Sequence, residues 1–290
     1  MKNVTITVGE IKYTNAFPFF YYVDRNKLLE KDCHFLIQTP ATLNREMKAG
    51  RIQVGPISSF AYAENVDEFV LMPNLSVSAN GPVGSIFLYT KRPLEELEGS
   101  RIALTTTSAT SVHLLKILLK QYVGVNVTYD EMDPSFDEMM QDHDGCLLIG
   151  DEAIVTSWRE EVETYRYDLG ELWKEYTGTS MTFAVFAVRK DAIARQRAIL
   201  EELYTAFVLS KEKNRKEQYA SMIGHIQKGM GGTTAFWNHY FSNLVYDFHT
   251  QQQKGLLLFY EKAYEEGFLP KPIESIKIWG DVRTHHSSLM

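Results

Sequence analysis

Only two cysteines occur in 290 residues, Cys33 and Cys146, so no disulfide framework can hold this chain together. Both sit in apolar runs, Cys33-His34-Phe35-Leu36-Ile37 and Cys146-Leu147-Leu148-Ile149, where buried, inert thiols are expected rather than nucleophiles or ligands. No apolar stretch approaches the ~18 residues of a membrane span. Met1-Lys2-Asn3 runs straight into the alternating Val4-Thr5-Ile6-Thr7-Val8, without the apolar core or cleavage site of a secretory leader. A cytoplasmic protein with no membrane partner is therefore expected, and the sequons at Asn3 and Asn126 carry no meaning there. Basic residues are not in excess either: 30 Lys and Arg face 37 Asp and Glu, a net charge of −7. That balance excludes an ordinary nucleic-acid binder. It does not exclude a small anion, which local dipoles inside a pocket can hold.

The usual chemical signatures are missing as well. The eight histidines (His34, His113, His143, His225, His239, His249, His285 and His286) show no metal-ligand spacing such as H-E-x-x-H. Gly229-Met230-Gly231-Gly232 lacks the Lys-Ser/Thr and the preceding strand of a phosphate loop. Neither a G-x-S-x-G elbow nor a G-x-G-x-x-G turn opening a βαβ unit occurs. No sequence motif for a metal or an organic cofactor is thus present.

With 44% hydrophobic and 23% charged residues, the chain is an ordinary globular one, long enough for one large or two ordinary domains. Apolar periodicity predicts strands over 4–11, 34–38, 53–57, 69–78 and 83–90, with a helix through the aromatic run Phe17 to Val23 serving as core. Thr39-Pro40 supplies an N-cap and a first-turn proline for a helix ending at Gly50, and Ser58-Ser59 caps a short one. Strands at 101–105, 126–131, 146–149, 165–169 and 181–188 alternate with helices after Ser111, over 134–141 and after Asp151. From Asp191 onward the spacing is helical near 191–212, 214–228, 234–243 and 250–266, with a short strand at 245–248 and a frayed tail after Gly280. The chain can cross between two α/β lobes near Tyr89-Thr90 and again near Val185-Phe186. Residues 1–89 and 186–290 then form one discontinuous lobe and 90–185 the other, closing by hinge motion.

The most informative local feature is Thr105-Thr106-Thr107-Ser108-Ala109-Thr110-Ser111, six hydroxyls in seven positions between a strand and a helix. One or two would serve as caps. The excess points to an anion held by the unpaired amides of a helix start, with hydroxyls as further donors, over Thr107, Ser108, Ala109, Thr110 and Ser111. Gly55-Pro56-Ile57-Ser58-Ser59 has the same layout, and Ser58 is either a ligand contact or a cap. Asp151 follows an apolar strand, where ligands collect in open α/β sheets, or it caps the next helix. Asn15 ends the first strand and offers both donor and acceptor, or serves its own turn.

Several of these segments, in order, make the chain resemble the MqnA family, the chorismate dehydratases of the futalosine route to menaquinone. They are Gly9-Glu10-Ile11-Lys12-Tyr13-Thr14-Asn15 with Pro18, Gly55-Pro56-Ile57-Ser58, Gly81-Pro82-Val83-Gly84-Ser85 and Ala103-Leu104 with Thr107 to Ser111. Leu148-Ile149-Gly150-Asp151, the run Asp168-Leu169-Gly170-Glu171-Leu172-Trp173-Lys174-Glu175-Tyr176-Thr177-Gly178, and Phe183-Ala184-Val185-Phe186-Ala187 complete the set over roughly residues 9 to 190. The chain departs from the family where a proline usually follows the Thr-Gly, reading Gly178-Thr179-Ser180-Met181, which bears on the shape of the second crossing. The resemblance implies a type II periplasmic-binding-protein fold and loss of water from chorismate to give 3-[(1-carboxyvinyl)oxy]benzoate. It implies a small dicarboxylate as the partner and no cofactor. Asn15 and Ser85 are implied to orient the substrate from the first lobe, with Ser58 assisting. The proton acceptor is either Asp151 or the substrate's own enolpyruvyl carboxylate.

Overall fold

A computed structural model describes residues 5–159 and 163–280; the expected start of the first strand at Val4 and the tail after Gly280 lie outside the described residues. Among the described residues, eleven strands form two sheets. In the first, β1 (Ile6–Ile11), β2 (Cys33–Gln38), β3 (Val54–Ser58), β4 (Phe69–Ala79), β10 (Met181–Arg189) and β11 (Leu244–Val245) lie in the order β11-β4-β10-β3-β1-β2. The second holds β5 (Ile86–Thr90), β6 (Arg101–Thr105), β7 (Thr128–Met132), β8 (Gly145–Ile149) and β9 (Tyr165–Asp168) in the order β7-β6-β8-β5-β9.

Strands β1, β2 and β3 run parallel, with Ile6 opposite Cys33 and Val8 opposite Val54. The returning β10 is antiparallel to both β3 and β4 and occupies the middle of the first sheet. Its central Phe186 packs against Phe19, ring centroids 4.6 Å apart, and against Phe207 of the long helix Lys190–Lys216. Each such fully buried ring contributes ~1.5–3 kcal/mol. The aromatic run is thus core, although its α-helical part is short, Phe17–Phe20. Cys33 and Cys146 are free and buried, and burial pushes both thiols up, Cys146 to about 12.

Side-chain caps begin several of the helices. Thr39 caps Pro40–Lys48, Ser58 caps Ser59–Glu64 and Ser108 caps Ala109–Ile117. The expected strand 165–169 stops one residue early because Asp168 turns to cap Leu169–Thr177, a helix the periodicity does not announce. The expected strand 83–90 begins only at Ile86. Its first residues are pulled aside: the N–H groups of Val83 and Gly84 donate to the Asp168 carboxylate at 3.0 and 2.7 Å. The strand expected over 245–248 is just Leu244–Val245, and the helix expected over 191–212 extends to Lys216 with a kink at Gln196.

Chain passage from the first sheet to the second falls between Ala79 and Ile86, and the return between Thr177 and Met181. At the return, Trp173 Nε1 donates to Thr179 Oγ1 (3.0 Å) and to the Ser180 carbonyl (3.3 Å). Gly255 of the helix Thr250–Glu265 presses against that carbonyl so closely that any side chain there would collide with it.

Candidate active site

The carboxyl ends of the parallel strands of both sheets point at one crevice. Behind β1, β2 and β3 come Asn15, Pro40 and Ser58; behind β6 and β8 come Ser108 and Gly150. Ligands collect at this end of open α/β sheets. A cavity of about 40 Å³ lies there, walled by Ile11, Tyr13, Asn15, Pro40, Ser58, Val77, Ile86, Ser108, Ser111, Ile149, Gly150, Phe183 and Ala184. None of these is charged. Ordinary small-ligand pockets measure roughly 300–1,000 Å³, so a ring with two carboxylates enters only if the halves part. A larger hollow, about 300 Å³, is bounded by Glu10, Arg25 and His225 of the first half alone, and its one carboxylate is already paired with Arg25.

Asn15 stands on the cavity wall, and its Oδ1 is buried with no hydrogen-bond partner among the described residues. A buried acceptor left unpaired costs about 1–3 kcal/mol, a cost that a ligand hydroxyl donating there would remove. Ser58 Oγ accepts from Asn44 Nδ2 (2.9 Å) and from the Ala61 N–H (3.2 Å). It is therefore both cap and wall. Across the crevice, Ser108 Oγ accepts from the Ser111 N–H (3.2 Å) and donates to Ser111 Oγ (3.0 Å). Among the described residues, the N–H groups of Ala109 and Thr110 at this helix start have no acceptor. They are the donors a helix start offers to an anion.

Other expected residues stand elsewhere. Thr110 Oγ1 faces the opposite half, accepting from the Phe60 N–H at 3.0 Å and lying 3.2 Å from Ser59 Oγ. Thr107 contributes its carbonyl to a bond with the Ala41 N–H (3.2 Å), while its hydroxyl pairs with Thr105. Ser85 is fully buried outside the cavity wall, its Oγ accepting from the Tyr240 hydroxyl (3.0 Å) and its carbonyl from the Gly150 N–H (2.7 Å). Burial in this packing pushes the Tyr240 phenol far up, with the Ser85 bond opposing.

Asp151 is not on the wall either. Its Oδ1 accepts from the Thr14 N–H at 3.0 Å and from the Thr14 hydroxyl at 2.8 Å. Burial raises its pKa, against the lowering by those two bonds and by Lys12. The pair joins the two halves. Next to it, Gly150 (φ +62°) lies under the Tyr13 ring, where a Cβ would come within 2.7 Å. The left-handed backbone and the close approach both require glycine. Asp151–Thr14, Thr107–Ala41 and Thr110–Phe60 thus bridge the crevice at three places.

Sequence patterns did not single out Tyr13 as a wall residue, nor Thr14, Asn44 and Tyr240. The apolar walls Val77, Ile86, Ile149, Phe183 and Ala184 read as core, because an alternating strand shows which residues face inward and not that a gap lies beneath them. The Asp168 link to Gly84 spans 84 positions and has no local signature.

Residues 6–265 match the model of a family described as menaquinone biosynthesis. A chorismate dehydratase of Thermus thermophilus is 34% identical over 198 residues, 63% of this chain and 70% of that protein. A 1,4-dihydroxy-6-naphthoate synthase of the same organism is 28% identical over 193 residues, 67% and 69% of the two. Among solved structures, the periplasmic aliphatic sulphonate binding protein SsuA of Escherichia coli superposes with a TM-score of 0.66 at 15% identity, over 95% of this chain and 92% of that one. The fold is that of the periplasmic binding proteins, as the two sheets and facing strand ends require. Among the described residues no helix is long and apolar enough to cross a membrane.

Proposed function

This chain belongs to the menaquinone-biosynthesis family, and from that premise we propose that it is a chorismate dehydratase, a carbon–oxygen lyase that forms 3-[(1-carboxyvinyl)oxy]benzoate and water. The observation that carries the proposal is the unpaired Asn15 Oδ1 in an uncharged cavity opposite a helix start. Chorismate brings what each side lacks: a C4 hydroxyl to donate, and carboxylates to accept. The same proposal includes a division into two lobes, one discontinuous, with the crossings before β5 and before β10 instead of near residues 89 and 185, because β5 belongs to the second sheet and β10 to the first. A cytoplasmic setting is also proposed, in keeping with two free cysteines.

In the proposed reaction one carboxylate rests on the Ala109 and Thr110 amides and the Ser111 side of the helix start. Asn15 accepts from the C4 hydroxyl and fixes its direction. The C3 proton leaves, its electron pair enters the ring system conjugated with the ring carboxylate, and the C4–O bond then breaks. The proton and hydroxide depart as water, and the ring is aromatic. Fixed amides facing the developing charge supply the stabilisation, and closure excludes bulk water. Asp151 has Oδ1 filled by two Thr14 donors and stands off the wall. The substrate's enolpyruvyl carboxylate is the better-placed acceptor for the C3 proton, held close by binding itself. Ser85 acts from behind, holding Tyr240 and Gly150.

Purified protein incubated with chorismate tests the proposal. Liquid chromatography with mass detection is expected to show the enol ether replacing chorismate mole for mole. Chorismate bound tightly but unchanged would mark a solute-binding protein, and no binding at all would favour the chemistry of the naphthoate synthase relative.

A further inference from the structure

We infer that Asn44, which does not line the cavity, is a positioning residue that turns the Ser58 hydroxyl into a fixed donor, so that this point of the wall accepts only a hydrogen-bond acceptor on the ligand. The inference rests on the proposed dehydratase site and goes beyond it by assigning the polarity of one wall position. Asn44 sits on the helix Pro40–Lys48 and makes two bonds to Ser58. Its Oδ1 accepts from the Ser58 N–H at 3.0 Å, and its Nδ2 donates to Ser58 Oγ at 2.9 Å. The first bond fixes which way the amide faces, since only its oxygen can take an N–H. The nitrogen must then point at Oγ.

A hydroxyl oxygen has two acceptor positions and one proton. Both acceptor positions of Ser58 are filled, one by Asn44 Nδ2 and the other by the Ala61 N–H at 3.2 Å. The proton makes no bond to any described residue, and Ser58 is on the cavity wall. That proton is what the wall presents. Asn15 Oδ1 presents the reverse, an acceptor needing a donor. The cavity thus has a polar sense, donor at Ser58 and acceptor at Asn15. A ligand with a carboxylate or ether oxygen on one side and a hydroxyl on the other satisfies both, and the mirror-placed ligand satisfies neither.

The test is a double-mutant cycle on the full chain, using Asn44→Ala, Asn44→Asp, Ser58→Ala and each pair. Turnover of chorismate is measured together with calorimetric binding of 3-[(1-carboxyvinyl)oxy]benzoate. Asn44→Asp keeps the bond from the Ser58 N–H but converts the other partner to an acceptor, which draws the Ser58 proton away from the cavity. Ser58→Ala and Asn44→Asp are each expected to weaken binding about 10- to 100-fold, the size of one hydrogen bond to a charged group. With Ser58 already replaced, Asn44→Ala is expected to add less than about threefold, because its route is gone. Asn44→Ala carries no new charge, so it keeps the cycle decisive if the aspartate variant fails to fold. Effects of Asn44 and Ser58 that multiply, or an Asn44→Asp variant that binds as wild type, would overturn the inference alone. Wild-type protein that neither converts chorismate nor binds the enol ether would overturn the functional proposal as well, and that outcome is read before any variant is made.

Discussion

Asp151→Asn removes one charge and leaves an oxygen in place to accept both Thr14 donors, now at 3.0 and 2.8 Å from Oδ1. Hydrogen bonds to a charged group contribute about 1.5–3 kcal/mol and neutral ones about 0.5–1.5, so the two bonds together weaken by about 2 kcal/mol. The side chain is half-buried, and that burial outweighs the two bonds in disfavouring its charge, so dropping the charge offsets the loss. If Asp151 joins the halves, turnover by Asp151→Asn is expected within about tenfold of wild type. Asp151→Ala is expected to fall further, because the Thr14 N–H loses its acceptor altogether. A general base contributes about 10²–10⁴. Steady-state kinetics on both variants, with product binding measured alongside, therefore separates the roles. A loss of a hundredfold or more in kcat for Asp151→Asn, with product still binding as in wild type, would refute the bridging role and restore the carboxylate as base.

Thermal melting gives a second handle on the same residue: its pKa is raised in the folded state, so its contribution to stability is present below the ordinary carboxylate value of 3.8 and is lost as pH rises through the folded value. Asp151→Asn is therefore expected to gain in Tm relative to wild type as pH increases over that window; a difference that shrinks would contradict the sign. Asn15→Ala is expected to cut kcat/KM by about 10- to 100-fold without lowering Tm, since it deletes an unpaired buried acceptor; unchanged kinetics would remove Asn15 from the site. For Gly150→Ala, the left-handed backbone alone costs about 1–2 kcal/mol, and the 2.7 Å approach to Tyr13 also keeps the halves apart. A Tm lower by a few degrees and a raised KM are expected, and wild-type values for both would refute it. Asp168→Ala strips the acceptor from four N–H groups, those of Val83, Gly84, Gly170 and Glu171. Urea denaturation is expected to show at least about 3 kcal/mol lost, and a loss under 1 kcal/mol would contradict the linking role.

Much of this architecture can be read from local pattern. Thr39, Ser58 and Ser108 announce their helices because a cap bonds only two or three residues ahead. Fully apolar β8 and the alternating β1 fix their sheets by period. At the cavity the same local logic carries Asn15, Ser58, Ser108 and Ser111 to the wall. It does not place Thr110, whose hydroxyl is claimed by Phe60, 50 positions away, and Ser85, implied by the resemblance and not by local pattern, has its hydroxyl bonded to Tyr240, 155 positions away. Which way a hydroxyl turns depends on neighbours brought by the fold. The motifs Gly81-Pro82-Val83-Gly84 and Asp168-Leu169-Gly170 look separate in the sequence. In the structure they are one feature, the aspartate tying the first crossing to the start of the helix Leu169–Thr177.

A crystal structure of the protein with 3-[(1-carboxyvinyl)oxy]benzoate bound tests most directly whether two halves grip a dianion through helix-start amides. One carboxylate is expected within hydrogen-bond reach of the Ala109 and Thr110 N–H groups, with Asn15 and Ser58 on the opposite face and the Thr14–Asp151 bond intact. Carboxylates seated on lysine or arginine side chains outside the crevice would contradict it.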